Sequence, residues 1–498
     1  MQTDWQPKPG DKFVHRPRTK AHPLIRALGV SGLFGAGYGN VGSSIYYALG
    51  LVALVALGAT PICLLVAGVF FIFTALSYAE GTAMLPGAGG SASFARHGFN
   101  DLAGSIAGWA LAFSYIVTIA ISAYAAPSYL GYFWAPLKDS AILGTSAAIA
   151  IVFFLMLLNI VGIKESSILN VAFAILDVCT QVIIIVLAVV FLLQPQLLWH
   201  RMIDYWPSWS SLVFGIAVAS IAYTGVETIS QLSEETKRPA VNAPRALLLM
   251  MVVVLVLFAG ISVAGFSAMT PSELAMEWAR DPVAGIAQQL SVILIGEGMA
   301  QGLLLALCKF LPVLVAILAA TILVVATNAG LMGISRLTFS LGRFQLIPLA
   351  LSRVHHKFKT PYRAIIIFAA MAMILISSGY FAPDTFIILG GLYAFGSLLS
   401  FALSHASILR LRMTKPELPR PFKLRGNIKF RGYYLPITAI LGLIATVAVW
   451  LVVVVVQFDT VWIGFGWMAI GMLVYYRFRR HKKLPLAGRA QEIKASVD

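Results

Sequence analysis

Apolar runs of about 20 residues, the length that crosses the hydrocarbon core of a bilayer, recur along nearly the whole chain with short polar stretches between them. Their edges predict twelve helices, at 24–49, 55–82, 102–134, 140–160, 166–193, 209–231, 244–267, 310–336, 363–380, 385–409, 434–456 and 459–476, numbered here as spans 1 to 12. The fold class this implies is an all-α integral membrane protein. Outside the spans, the longest stretches are the N-terminal tail, a connection near 268–309 and a basic loop at 410–433, and none reads as a soluble domain. The connection carries QQLSVILIGEGMAQGLLLALCKF, which predicts a short lid helix and then the start of span 8.

Composition agrees with this pattern. Apolar residues make up 59% and charged residues 11% of 498, too little polar surface to coat a soluble protein of that size. The first 22 residues are polar and rich in Pro, Lys and Arg, unlike a cleaved signal peptide, and read as a cytoplasmic tail. The net charge of +16 is distributed for topology rather than for nucleic acid. With the N-terminus inside, all but four of the 36 Lys and Arg residues fall on the cytoplasmic side, the exceptions being Lys138, Arg201, Arg280 and Lys309. Such asymmetry places both termini in the cytoplasm of a multi-pass protein of the cytoplasmic (inner) membrane. The run Arg477, Arg479, Arg480, Lys482 and Lys483 then faces anionic membrane lipids. Cys63, Cys179 and Cys308 lack metal-ligand spacing and a disulfide framework and are expected to be small core residues. No nucleophile elbow, phosphate-binding loop or paired metal ligands occur, so neither an enzyme nor a cofactor is expected.

Two spans carry breaks that an ordinary membrane helix would not. Span 1 contains GYGNVGSSIYYALG with Gly42, Ser43 and Ser44 at its centre; span 6 contains Tyr223, Thr224 and Gly225. Unpaired backbone is tolerated at membrane depth only where protein buries it or it lines a cavity. Interruptions at corresponding positions, five spans apart, point to an inverted repeat with its solute site at the midplane. Breaking span 1 would expose N–H groups that attract a carboxylate. Breaking span 6 would expose carbonyls ahead of Thr224 that accept from an ammonium.

Several segments carry a family resemblance: GNVGSSIYYALG in span 1, SYAEGTAMLPGAGGSASFARHGFNDLAGSIAGWA between spans 2 and 3, NIVGIKESS before span 5, GVETISQLSEETKRPAVNAPRA after span 6, and ATNAGLMGISRLTFSLGRFQLIPLALSRVHHKFKTP at the end of span 8. In this order and spacing the chain resembles the amino acid-polyamine-organocation superfamily of permeases. That resemblance implies a LeuT-like five-plus-five inverted repeat with broken spans 1 and 6 and two peripheral helices. The organisation expected is a tail at 1–23, a transport core of spans 1 to 10 at 24–409, the basic loop 410–433, peripheral spans at 434–476 and a basic tail at 477–498. In one departure from the family, Ser44 stands where the second glycine of a Gly-x-Gly turn is common.

The candidate site follows. Glu227, three residues past the span 6 break, is a carboxylate near mid-membrane with no basic residue in its own span, a costly placement that usually serves function. By resemblance, glutamate at this GVE position is proton-responsive in arginine/agmatine antiporters and recurs in potassium importers. Asp177 lies 11 positions into span 5, roughly 16 Å deep at about 1.5 Å per residue. By resemblance, its position is held by a lysine in some proton-coupled members, in place of a sodium ion between spans 1, 5 and 8. A carboxylate there could bind Na⁺ with Thr327 and span 1 carbonyls, or could itself take up a proton. Ser114, Tyr115 and Thr118 on span 3 and Tyr393 on span 10 are expected to complete the substrate cavity with residues 42–44 and 223–225. Glu80 and Arg96, flanking the PGAGG loop, suggest a cytoplasmic gate or fold support, and His405 a packing residue.

The function expected is secondary active transport of an amino acid or related amine by alternating access, driven by H⁺ or Na⁺. One alternative is proton-coupled potassium import, through the shared YIVT, TGVE and LYA segments, although Ser114 stands where those importers carry an aspartate. The other is a non-transporting membrane sensor, which a tail of about 20 residues after 477 does not favour.

Overall fold

The computed structural model describes residues 26–162, 167–355, 357–358 and 360–492. The tail expected at 1–23 lies outside them. Among the described residues, eleven helices are long and apolar enough to cross a membrane. Nine match single spans to within a few residues, and span 8 runs well past its expected ends, as Gly302–Arg343.

The first run, Val30–Met84, covers spans 1 and 2 together in 55 residues. At about 1.5 Å per residue it would extend roughly 80 Å as one rod, far beyond a bilayer. It is divided at Leu57, whose φ of 41° and ψ of −120° end the helix Ile45–Ala56, and the chain restarts as Thr60–Met84 with Pro61 in its first turn. Proline suits that position because its missing N–H has no helical partner there. Elsewhere side chains cap the helices: Asn100 accepts from the N–H of Ala103 at 2.9 Å and Ser208 from that of Ser211 at 3.2 Å.

Burial sorts the helices into an inner and an outer set. The most apolar window of Asp101–Leu130 is 94% buried, that of Trp209–Gln231 89% and that of Thr385–Thr414 78%. By contrast, Ala141–Val161, Ile437–Val456 and Phe458–His481 are each 28% buried and offer their remaining surface to lipid. Spans 3, 6 and 10 therefore form the centre together with span 1, most of whose residues are buried. Span 3 packs on span 10 nearly backbone to backbone, since a Cβ on Gly396 would lie 3.0 Å from the amide nitrogen of Ser114.

The connection before span 8 contains the helix Pro282–Gly296, buried along one side, where a lid helix was expected. Lys138 joins it to the end of span 3, bonding Asp281 at 2.8 Å and lying 3.8 Å from the Trp278 ring centre. Burial pushes the Asp281 carboxyl up to about 6, against the pull of Lys138. Among the described residues, elements outside the twelve-span pattern near the opposite end include the helix Gly90–Gly98 and an antiparallel hairpin of β1 (Asn427–Phe430) and β2 (Tyr433–Pro436).

Buried charges gather where spans 2, 10 and 12 finish and span 3 begins. Glu80 accepts two bonds from Arg412, at 2.7 and 2.6 Å, and one from the amide of Leu424 at 2.8 Å. Asp101 is held by Arg96 at 2.8 Å, Arg479 at 2.9 Å and the amide of Ala490 at 2.6 Å. Glu80 and Arg96 thus serve separate clusters that brace the fold. The segment after span 12 is woven into the second of them, because Glu492 pairs with Arg96 at 2.8 Å. His405 is enclosed as expected, with Ser77 at 2.9 Å and Thr74 at 3.3 Å from its two ring nitrogens. Cys63 and Cys308 are buried, whereas Cys179 is exposed, a correction to its placement in the core: its helix, Ser167–Leu187, lies at the periphery and turns that position outward.

Candidate functional site

The two interruptions differ in kind. In span 6 the helix Trp209–Ala219 tightens over Ser220–Tyr223, then Thr224 is extended at φ −80°, ψ 155° and Gly225 takes φ +112° before a helix restarts at Glu227. Only glycine adopts that last conformation readily. In span 1, Gly42–Ser44 narrows to a 3₁₀ turn without leaving the helical region. The exposed N–H groups expected there are therefore not a full set, since the amide of Gly42 is bonded to the carbonyl of Tyr38. Both serine hydroxyls also turn back on the helix. Ser43 donates to the carbonyl of Asn40 at 2.9 Å, and Ser44 lies 3.0 Å from the hydroxyl of Tyr47.

Asn40 joins the two interruptions. Its amide donates to Thr228 at 2.8 Å, and its side chain packs so closely on Gly225 that a Cβ there would lie 2.9 Å away. Glu227 is buried beside this junction and accepts from the amide of Gly225 at 3.1 Å. Four buried tyrosines, Tyr47, Tyr78, Tyr115 and Tyr393, lie within electrostatic range of its carboxylate.

Spans 3 and 10 close the other side. The Tyr393 hydroxyl faces those of Thr118 and Thr224, which are committed to the carbonyls of Ser114 at 2.8 Å and Ile221 at 2.7 Å. The Tyr115 hydroxyl faces Thr228. Among the described residues, the hydroxyls of Tyr115 and Tyr393 and the side-chain amide oxygen of Asn40 are buried here with no hydrogen bond of good geometry, and the Ser114 hydroxyl is likewise unpartnered on span 3. A buried polar atom left unpaired costs about 1–3 kcal/mol. Several converging beside one carboxylate mark a place that a polar solute can satisfy.

Tyr223 does not belong to this group. Its hydroxyl donates to the carbonyl of Leu64 at 2.8 Å and its ring packs against Phe71 and Phe258, so the side chain expected to touch substrate points toward spans 2 and 7. A cavity of about 110 Å³ lies next to the junction, bounded by Gly32, Gly35, Thr228, Gln231 and the Glu235–Arg336 ion pair at 3.0 Å. Through Thr228 it meets the Asn40 bond.

Asp177 forms a second centre. Tyr38 donates to one of its oxygens at 2.7 Å, Gln181 to the same oxygen at 2.8 Å, and Tyr46 to the other. Tyr129 in turn donates to the carbonyl of Tyr46 at 2.6 Å. Tyr38 and Tyr46 stand four residues either side of Gly42, on one helix face, and the Tyr38 ring lies so close to Gly42 that a Cβ would sit 2.5 Å from it. Span 1 is thereby tied to the carboxylate from both sides of its turn. Thr327 is not brought to Asp177 by any hydrogen bond among the described residues; its hydroxyl donates to the carbonyl of Leu323 at 2.8 Å. Asn40, Tyr38, Tyr46 and Gln181 are the functional candidates that sequence reasoning missed. The spacing of the two tyrosines about Gly42 was the available signal.

The family model described as amino acid permease matches residues 28–475. The chain is similar to the branched-chain amino acid permease BcaP of Bacillus subtilis, at 29% identity over 93% of this chain and 95% of that protein. It is also similar to the methylthioribose transporter of Bacillus subtilis, at 25% identity over 94% and 96% of the two chains. A third similarity is to the low-affinity putrescine importer PlaP of Escherichia coli, at 23% identity over 86% and 88%.

Proposed function

This chain belongs to the amino acid permease family, a multi-pass membrane transporter rather than an enzyme, and from that premise we propose that it carries an amino acid or related amine across the cytoplasmic membrane, coupled to protons, by alternating access. The observation that carries the proposal is the convergence of Glu227, the orphaned hydroxyls of Tyr115 and Tyr393 and the side-chain oxygen of Asn40 on the span 1 and span 6 interruptions. Twelve crossings in two inverted halves, with both termini inside, are part of this reading; the turn at Leu57, which separates spans 1 and 2, supports the count.

A zwitterion suits the cluster. Glu227 and the carbonyls ahead of Thr224 attract its ammonium, while the tyrosine hydroxyls bond its carboxylate. The named cargoes of the three relatives, a branched-chain amino acid, methylthioribose and putrescine, are small polar solutes of related size. The two named as amino acid and amine carriers favour the class proposed here.

Proton coupling rests on the donor set at Asp177. A sodium ion is held by several oxygens with free lone pairs, but here two phenols and an amide point hydrogens at the carboxylate, and Thr327 is bonded within its own helix. Protonation reverses one of these bonds. The carboxyl then needs an acceptor, and Gln181 has an amide oxygen without a partner. Rotation of either phenol would loosen span 1 about Gly42, a route by which a proton could bias the inward and outward forms.

A thermal-shift screen of purified protein against amino acids, polyamines, K⁺ and Na⁺, followed by uptake into proteoliposomes, tests the proposal. A ligand that binds the native state alone raises its apparent stability. Stabilisation and uptake confined to K⁺ would refute the substrate class, and uptake driven by a sodium gradient but not by a pH gradient would refute the coupling.

A further inference from the structure

Between spans 10 and 11 the chain makes a feature that transport does not use. The hairpin pairs Asn427 with Pro436, Ile428 with Leu435, Lys429 with Tyr434 and Phe430 with Tyr433. Its two-residue turn has φ of 47° at Arg431 and 86° at Gly432, the both-positive geometry that matches the twist of paired strands. Alternation along the strands puts Ile428, Phe430, Tyr433 and Leu435 on one face. Phe430 is 52% exposed, and Ile428 and Tyr433 are also exposed.

This face is not a loose loop. The segment leading to it is fastened by the Leu424 amide and Arg412 on buried Glu80, and Asn427 reaches the carbonyl of Leu424 at 3.3 Å. β2 runs directly into the helix Ile437–Val456, 20 residues that just match a hydrocarbon core of about 30 Å. Strands of four residues extend about 13 Å, so no part of the hairpin can leave the interfacial layer by much more than that. Its apolar face continues into the exposed Ile437, Leu441 and Ile444 of the following helix.

The charge is of one sign. No Asp or Glu occurs between Glu417 and Asp459, while Lys423, Arg425, Lys429 and Arg431 are exposed and make no ion pair among the described residues. Exposed aromatic residues beside unpaired cations at a span boundary suit a headgroup layer that is apolar below and anionic above.

We propose that the 423–436 hairpin is a fixed docking surface for anionic lipid headgroups, with Phe430 and Tyr433 set into the interface and Lys423, Arg425, Lys429 and Arg431 binding lipid phosphates. The test uses the full chain in nanodiscs. Phe430→Cys in a Cys179→Ser background, with Cys63 and Cys308 buried, is labelled with an apolar fluorophore and quenched by lipids carrying a nitroxide near the headgroup. Quenching is expected to be several-fold stronger in discs containing a third phosphatidylglycerol than in phosphatidylcholine alone. Changing the four cations to glutamine should abolish that difference while the protein stays monodisperse, because each contributes about fivefold to surface attraction. Excess glycerol phosphate in solution should not displace the label. Equal quenching in both lipids, quenching in neither, or displacement by the soluble phosphate would each overturn the proposal, the last by showing a soluble-anion site instead.

Discussion

Replacing Asp177 by asparagine separates its structural role from its energetic one. Asparagine keeps the shape and one acceptor oxygen but presents N–H groups where the carboxylate accepted from Tyr38, Tyr46 and Gln181. The phenols can rotate to accept, and the Gln181 amide can turn its unpartnered oxygen inward. The net loss is therefore about one hydrogen bond, roughly 1 kcal/mol, and the variant should fold and purify like the parent. Transport should change far more. If one proton accompanies each substrate, a gradient of one pH unit stores about 1.4 kcal/mol and supports about tenfold accumulation of a net-neutral solute. Asp177→Asn should equilibrate its substrate, a ratio near one, while still exchanging labelled for unlabelled substrate at a normal rate. Proteoliposomes with the membrane potential clamped, and with pH and sodium gradients imposed separately, measure both. Tenfold accumulation by Asp177→Asn under either gradient would return Asp177 to a purely structural part, and loss of exchange together with accumulation would mean that the substitution damages the site itself.

Glu227→Gln should fold normally and transport without the parent's pH dependence, so an unchanged pH profile of uptake would refute a proton role there. Ser43→Leu, which crowds the 3₁₀ turn against Asn40, should abolish substrate-induced thermal stabilisation in a protein that still runs as a single species on gel filtration. Tyr393→Phe removes a hydroxyl that lacks a protein partner, so thermal stability should hold while KM rises several-fold; a large fall in melting temperature with KM unchanged would assign the hydroxyl to packing. Arg412→Gln leaves buried Glu80 with the Leu424 amide and a longer contact to Arg420 at 3.6 Å, so it should cost toward the low end of about 3–5 kcal/mol, read as a lower melting temperature in detergent. Lys138→Gln removes the cation opposing burial of Asp281. Because a carboxyl raised in the fold to about 6 loses its stabilising contribution as pH rises through that value, the deficit in melting temperature relative to the parent should be larger at pH 8 than at pH 5.

The sequence was most legible where lipid imposes the rule. A helix such as Trp209–Gln231 has both ends where an apolar run meets Ser208 at one side and polar residues at the other, and its break is announced by Gly225, whose positive φ few other residues tolerate. Gly42–Ser44 looks just as disruptive in the sequence. Small residues also permit close packing, however, and here the Tyr38 ring fills the space over Gly42 while the chain stays helical. Tyr223 misled for a related reason. Its neighbours Thr224 and Gly225 unwind, but a 3₁₀ turn rotates the tyrosine away from them, onto Phe71 and Phe258. The tyrosine partners of Asp177 lie 131 and 139 positions away in the chain; their spacing about Gly42 is visible in the sequence, but their pairing with Asp177 comes from the packing of the fifth span against the first. The helix Gly90–Gly98 and the hairpin escaped notice because their short lengths carry little periodic signal.

The ion cluster at Asp101 constrains the order in which this chain can be finished. Asp101 and Arg96 enter the membrane boundary early in synthesis, yet Ala490, whose amide completes the cluster, follows Asp101 by 389 residues. At 5–20 residues per second a ribosome needs roughly 20–80 seconds to cover that distance. Until then the aspartate and its arginine must be hydrated or held by insertion machinery, because the fully buried guanidinium of Arg479 has not yet been made. A ribosome stalled after span 11 would therefore release a protein with its central spans already in place and an open, charged seam where span 3 begins.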